Sequence, residues 1–146
     1  MSDFLTALRV SGSGLSAQRT RVDIASSNLA NAESTRGPDG EPYRRRDPVL
    51  TAVPFEAELG GAAQSTNGSP SHGVEVSQVL EDENPGKKVY LPGHPDADPD
   101  GFVTLPNVNP VHETVNLLTA SRGSEANATA VETLKTMAQR ALDIAR

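Results

Sequence analysis

Apolar positions recur along this chain with a helical period at both ends and with a strand-like period in between. From Asp3 to about Ala32, reading in sevens places Leu8, Leu15, Val22 and Leu29 at one heptad position. A second row three residues on runs from Phe4 through Ser11, Gln18, Ala25 and Ala32, so half of this seam is small or polar. A further apolar row, Val10, Ala17 and Ile24, sits two positions round from Leu8, about 200° away at roughly 100° per residue. A helix on the surface of a monomer needs only one apolar face. Two nearly opposite faces predict a helix held between other helices.

The last segment, from about Asn109 to the end, carries the same kind of seam: Leu117, Ala120, Ser124, Asn127, Val131, Leu134, Ala138, Ala141 and Ala145. Asn109 suits the N-cap, Pro110 the first helical position, and Glu113 the positive end of the helix dipole. Val115 and Leu118 lie off the seam. Small seam residues let backbones approach closely, and Asn127 on the seam fixes register at some cost in stability. Gly12, Gly14 and Gly123 weaken both helices, by roughly 0.5–1 kcal/mol each relative to Ala. The bland alternative is a two-helix hairpin that closes on itself; the two-faced pattern and thin seam favour assembly.

Residues 33–108 are punctuated by turn sequences: Gly37-Pro38-Asp39-Gly40, Asn67-Gly68, Pro85-Gly86 and Pro92-Gly93. Alternating runs at Val49, Thr51 and Val53, at Val74 and Val76, at Val89 and Leu91, and at Phe102 to Leu105 predict short strands. Residues 57–72 read as a flexible loop. The predicted fold is mainly α with a small β insertion: long N- and C-terminal helices paired as a coiled-coil-like hairpin, with an irregular β region between them.

Composition sharpens this picture. Aromatics make up 3% of the 146 residues, Trp is absent, and there are twelve Gly and eleven Pro. So few large apolar side chains leave burial to many small contacts or to partners. The net charge of −6 is uneven: residues 33–109 hold six basic against thirteen acidic groups, while 1–32 and 110–146 stand at +1 and 0. Ends near neutrality suit packing, and an acidic middle suits solvent. No basic face suited to nucleic acid is visible, and no stretch is long and apolar enough to span a membrane. Asp3 and Arg9 interrupt the opening segment where a cleavable signal needs an apolar run.

Candidate chemistry is sparse. Asp96-Ala-Asp98-Pro-Asp100-Gly101 copies the first half of an EF-hand loop, but Asn107 stands at the twelfth position, where a bidentate Glu completes the calcium cage. A calcium module or a small monomeric adaptor are therefore the competing readings. His72, His94 and His112 have no ligand spacing, and no nucleophile elbow or phosphate loop is present. No cofactor and no enzymatic activity are expected. Arg44-Arg45-Arg46 reads as a solvated strand edge or an intersubunit salt-bridge donor.

Three stretches resemble a known family. Ser26-Ser-Asn28-Leu29-Ala-Asn31-Ala is similar to the signature near the N-terminus of bacterial flagellar rod and hook proteins. Gly37-Pro-Asp-Gly-Glu-Pro-Tyr43-Arg-Arg resembles a segment of the proximal rod proteins. Gly101-Phe-Val-Thr-Leu-Pro106-Asn107-Val108-Asn109, then Val115-Asn-Leu-Leu118, Ala120-Ser-Arg122 and Asn127, resembles that family's entry into its C-terminal helix. Pro110, His112 and Ser124 depart from its usual residues.

The resemblance implies a structural subunit of the flagellar basal-body rod. Residues 1–32 and 109–146 would form the inner tube and 33–108 the outer, connecting region. It also implies export without a cleaved signal by the flagellar type III apparatus, assembly with other rod proteins and copies of itself, and a place in the periplasmic rod. On this reading Leu8, Leu15, Val22 and Leu29 meet the C-terminal seam, Val131, Leu134 and Ala138 included, within and between subunits. Asn28 and Asn31 hydrogen-bond across the packing, and Asn107-Val108-Asn109 turns the chain from β region into helix.

Overall fold

The computed structural model describes residues 2–37, 39–54 and 72–144. Helix α1 spans Ser2–Ala30 and helix α2 spans Pro110–Ile144. Between them lie strands β1 (Arg46–Pro54), β2 (His72–Glu81), β3 (Lys87–Tyr90) and β4 (Phe102–Leu105). They form two separate two-stranded antiparallel sheets, β1 with β2 and β3 with β4. All four strands fall where the alternating runs predict them. The loop expected at 57–72 lies outside the described residues except for His72, which opens β2.

The helices run antiparallel in strict register. A Cβ on Gly14 would lie 3.0 Å from the Asn127 amide, and one on Gly123 would lie 3.0 Å from Gln18. Asn28 reaches Glu113 further along. Four residues forward on α1 match four back on α2, and ten match ten, so the pair does not slip. Gly14 and Gly123 thus leave room for the Asn127 and Gln18 side chains of the opposite helix. Their cost in helix propensity is a condition of the pairing.

The seam of α2 faces inward as its heptads predict. Ala120 is fully buried, and Ser124, Asn127, Val131, Leu134 and Ala138 are half-buried. On α1 the buried residues are Ala17, Ala25 and Asn28; Leu8, Leu15 and Val22 are half-buried, and Leu29 is exposed. Twelve residues beyond the Gly14–Asn127 crossing α1 has reached its start at Ser2, while α2 runs on past Gln139 to Ile144. Leu142 and Ile144 on that overhang are exposed.

The second apolar face of α1 meets a β-hairpin and not another helix, which corrects the expectation of a purely helical sandwich. Val10, Ser13, Ala17 and Thr20 face Val53, Pro54 and residues 73–76 across an open cleft of about 580 Å³. The Ser13 hydroxyl donates to Val10 O at 2.8 Å and accepts from the Val74 N–H at 3.1 Å, joining helix to strand. β1 tolerates Pro48 and Pro54 because each strand of a two-stranded sheet has a free edge, where a missing N–H costs no ladder bond. A register shift lies between Val49 and Leu50.

Among the described residues the fully buried apolar side chains are Ala17, Ala25, Val103 and Ala120. No Leu, Ile or Phe is among them, each of which would contribute roughly 1.5–3 kcal/mol when buried. Cohesion therefore depends on close backbone approach and on polar contacts.

The glycines make this testable. Nothing lies within 4 Å of a Cβ on Gly12, so Gly12→Ala should stabilise the helix by about 0.5–1 kcal/mol. Gly14→Val should instead lower stability by pressing on Asn127. Thermal melts followed by circular dichroism at 222 nm check both, and shifts of the same sign would contradict the crossing.

Candidate functional site

The strongest concentration of buried polar groups sits where the end of α1, the chain entering β1 and the first turn of α2 converge. Asn28 is its centre, 1% exposed. Its Oδ1 accepts the Tyr43 hydroxyl at 2.9 Å and the Arg46 N–H at 2.9 Å. Its Nδ2 donates to Arg46 O at 2.8 Å and to Glu113 Oε2 at 3.1 Å. Both donors and both acceptor sites of the amide are used. Toward Arg46 the side chain behaves like a neighbouring strand, engaging N–H and carbonyl of one residue at once.

Glu113 is equally buried, at 1% exposure. Its other oxygen accepts the Arg45 Nε–H at 2.8 Å, and Arg45 also lies 3.4 Å from Asp47. Burial pushes the Glu113 carboxyl up, but the hydrogen bond from Asn28 and the hydrogen bond and charge of Arg45 outweigh it, leaving its pKa below the ordinary value of 4.5. Burial likewise opposes the Arg45 charge, and Glu113 overcomes it, raising the guanidinium pKa. The carboxylate read from sequence as a helix-dipole partner is thus also a buried ion-pair acceptor.

Asn109 holds the start of α2. Its Oδ1 accepts the N–H of Val111 at 3.0 Å and of His112 at 3.4 Å, which places Glu113 one turn inside the helix. The Asn107 side chain donates to Asp82 Oδ2 at 3.1 Å, and Val108 is half-buried. The segment therefore does turn the chain from strand to helix. Asn31 behaves otherwise: its amide donates to Ser27 O at 2.9 Å and its Oδ1 accepts from Ser34 at 3.2 Å, so it caps its own helix and does not cross to α2.

The three arginines pair within the chain. Arg44 lies 3.0 Å from Glu41, Arg45 2.8 Å from Glu113, and Arg46 3.1 Å from Glu81. Arg44 and Arg46 stay about half exposed where β1 begins, in keeping with a solvated strand edge, while Arg45 is drawn inward to Glu113. In the acidic turn, Asp96 accepts the Thr35 hydroxyl at 2.8 Å and lies 3.4 Å from Arg36. That carboxylate ties the loop after α1 to the β3–β4 connection.

The remaining candidates are dispersed. Val115 and Leu118 are more than half exposed on α2, with Val111 beside them and Arg122 exposed on the same side. Spacings of four, three and four put Val111, Val115, Leu118 and Arg122 on one face. It lies opposite Ala120 and the seam. Sequence reasoning missed Arg45, Tyr43 and the burial of Glu113. Only the presence of an arginine run and a lone acid at a helix start hints at them.

Two family profiles match the ends of the chain: "Flagella basal body rod protein" over residues 8–38 and "Flagellar basal body rod FlgEFG protein C-terminal" over residues 100–144. The matched ends define the class, the rod proteins of the flagellar basal body. Relatives extend the likeness across the β region. The flagellar basal-body rod protein FlgC of Bacillus subtilis (strain 168) is 42% identical over 146 aligned positions, covering 96% of this chain and 97% of the relative. That of Salmonella typhimurium is 41% identical and that of Escherichia coli O157:H7 40%, each over 140 residues and 96% of both chains. The chain belongs to the FlgC family of flagellar basal-body rod proteins, structural subunits of the rod.

The folded chain holds the Glu113 proton less readily than the unfolded one. The stability this pair contributes is therefore complete above the ordinary glutamate range and is lost as pH falls through the depressed folded value. Acid titration followed by far-UV circular dichroism should show a loss of structure in that window that Glu113→Gln reduces. Asn28→Asp should destabilise more than Asn28→Ala, because it removes both donors and sets a second carboxylate against Glu113; each buried group left unpaired costs about 1–3 kcal/mol. Equal urea midpoints for the two variants would contradict the network.

Proposed function

We propose that this chain is a subunit of the proximal rod, polymerising helically with copies of itself and other rod proteins into the periplasm-spanning driveshaft. In this reading residues 1–32 and 109–146 build the inner tube, and 33–108 form the outer, connecting region. The chain reaches the rod through the flagellar type III export apparatus without cleavage of a signal peptide. It has no enzymatic role: its buried carboxylate is committed to Arg45 and Asn28.

The observation that carries the proposal is the mismatch between core and surface. Three alanines and a valine are the fully buried apolar residues among those described, while Val111, Val115, Leu118, Met137, Leu142 and Ile144 are each more than half exposed on α2. A helix with large apolar residues outside and alanine inside is built to be covered by neighbours. A heterologous contact of that kind propagates into a filament when it does not close. Leu8, Leu15 and Val22, half-buried on α1, and the exposed Leu29 serve the same purpose.

The competing calcium module has less support, because Asp96 is engaged by Thr35 and Arg36. A monomeric adaptor leaves the outer stripe of α2 unexplained.

Val22→Asp, Leu29→Asp or Leu118→Asp should leave the protein synthesised and exported to the rod but abolish swimming, read as spread in soft agar. Motile strains carrying any of the three would contradict the packing role of that residue. The purified chain should hold only a marginal fold, with helix by circular dichroism below what residues 2–30 and 110–144 would give and a low melting midpoint. A fully helical monomer with a high melting midpoint favours the adaptor instead.

A further inference from the structure

The outer face of the β3–β4 hairpin carries an exposed aromatic ledge that nothing in the intramolecular fold requires. The Tyr90 and Phe102 rings meet edge to face with centroids 5.3 Å apart, and they remain 61% and 41% exposed. Their strand neighbours Val89 and Val103 point the other way, Val103 into the core. The ledge is held in place from below. Gly101 has φ of +81° and a Cβ there would come within 2.8 Å of the Tyr90 ring, so the ring lies directly on backbone. Leu91 N–H donates to Gly101 O at 2.9 Å and Asp98 N–H to Phe102 O at 2.8 Å, which fixes the acidic turn beside the rings. Asp98 and Asp100 of that turn are exposed.

Two of the chain's five Phe and Tyr residues thus form a rigid, exposed pair with carboxylates at its edge. Such pairs supply large contact area at small entropic cost and are typical anchors of protein interfaces. The complementary surface is an apolar ridge ending in a cation. The Val111, Val115, Leu118 and Arg122 face of α2 has that composition, its apolar part extending along about 10 Å of helix. Arg122 makes no ion pair among the described residues. Charge also selects between possible pairings of copies. Residues 33–109 carry −7 and residues 110–146 carry 0, so β region against β region brings like charges together while β region against α2 does not.

We propose that the Tyr90–Phe102 ledge of one copy seats on the Val111–Val115–Leu118 stripe of the next, with Asp98 and Asp100 beside its Arg122. The inference rests on the assembly reading above and names the contact that reading leaves open. Because the two surfaces differ and both belong to every copy, the contact is heterologous and repeats along the rod.

Charge exchange in the full chain tests it. Arg122→Asp should reduce swimming spread about threefold or more, and Asp98→Arg with Asp100→Arg in the same chain should restore at least about half of the loss. No restoration overturns the contact. The chain has no cysteine, so introduced ones are read without background. Two differently tagged chains, one carrying Phe102→Cys and the other Leu118→Cys, should yield a doubly tagged disulfide dimer in purified basal bodies after mild oxidation. Chains present in basal bodies without that dimer, or a Phe102→Cys chain linked only to a different rod protein, overturn the contact and leave the assembly reading standing. Absence of the native chain from basal bodies overturns both.

Discussion

Glu113 sits in the first turn of α2, closed off from water, with Arg45 on one oxygen and Asn28 on the other. A buried carboxylate without partners would neutralise or force the region open, so these two contacts are a condition for everything around them. Asn28 commits α1, Arg45 commits the segment entering β1, and Tyr43 and the Arg46 backbone complete the amide. One polar cluster thereby sets the antiparallel register of the helices and the direction in which the β region leaves them. From that anchor the helices stay in step to the Gly14–Asn127 crossing.

A cluster of this kind specifies geometry more than it adds stability. Hydrogen bonds exchanged for those with water yield roughly 0.5–1.5 kcal/mol each, while leaving one unmade is costly. Among the described residues there is little hydrophobic burial to add to that. A subunit so constructed has a defined shape, and in the proposed assembly the outward side of α2 is left for neighbours to cover.

The helices and strands were legible because each is written in a local period. Ala120, Asn127, Val131, Leu134 and Ala138 recur at coiled-coil spacing, Asn109 stands where an N-cap belongs, and the four β runs alternate between turn sequences. What closes the fold is not periodic. Arg45 lies 68 positions from Glu113 and Ser13 lies 61 from Val74, and no spacing rule connects such residues. The same gap explains the misassigned second face of α1: Val10 and Ala17 show that something covers it, but the hairpin that does so forms through pairs visible only in three dimensions. Asn31 reads like Asn28 in the signature, yet it follows directly on the last residue of α1 and its amide turns back to Ser27 O. Glycine was misleading for a related reason, since its propensity cost is local and its benefit at Gly14 and Gly123 comes from the other helix.

A density map of the assembled basal body tests the account most directly. The account predicts this chain within the rod, α1 and α2 antiparallel in one subunit with Asn28 against Glu113, and Val111, Val115 and Leu118 covered by a neighbouring subunit. A rod in which that stripe faces open solvent, or in which Asn28 and Glu113 are apart, would contradict it.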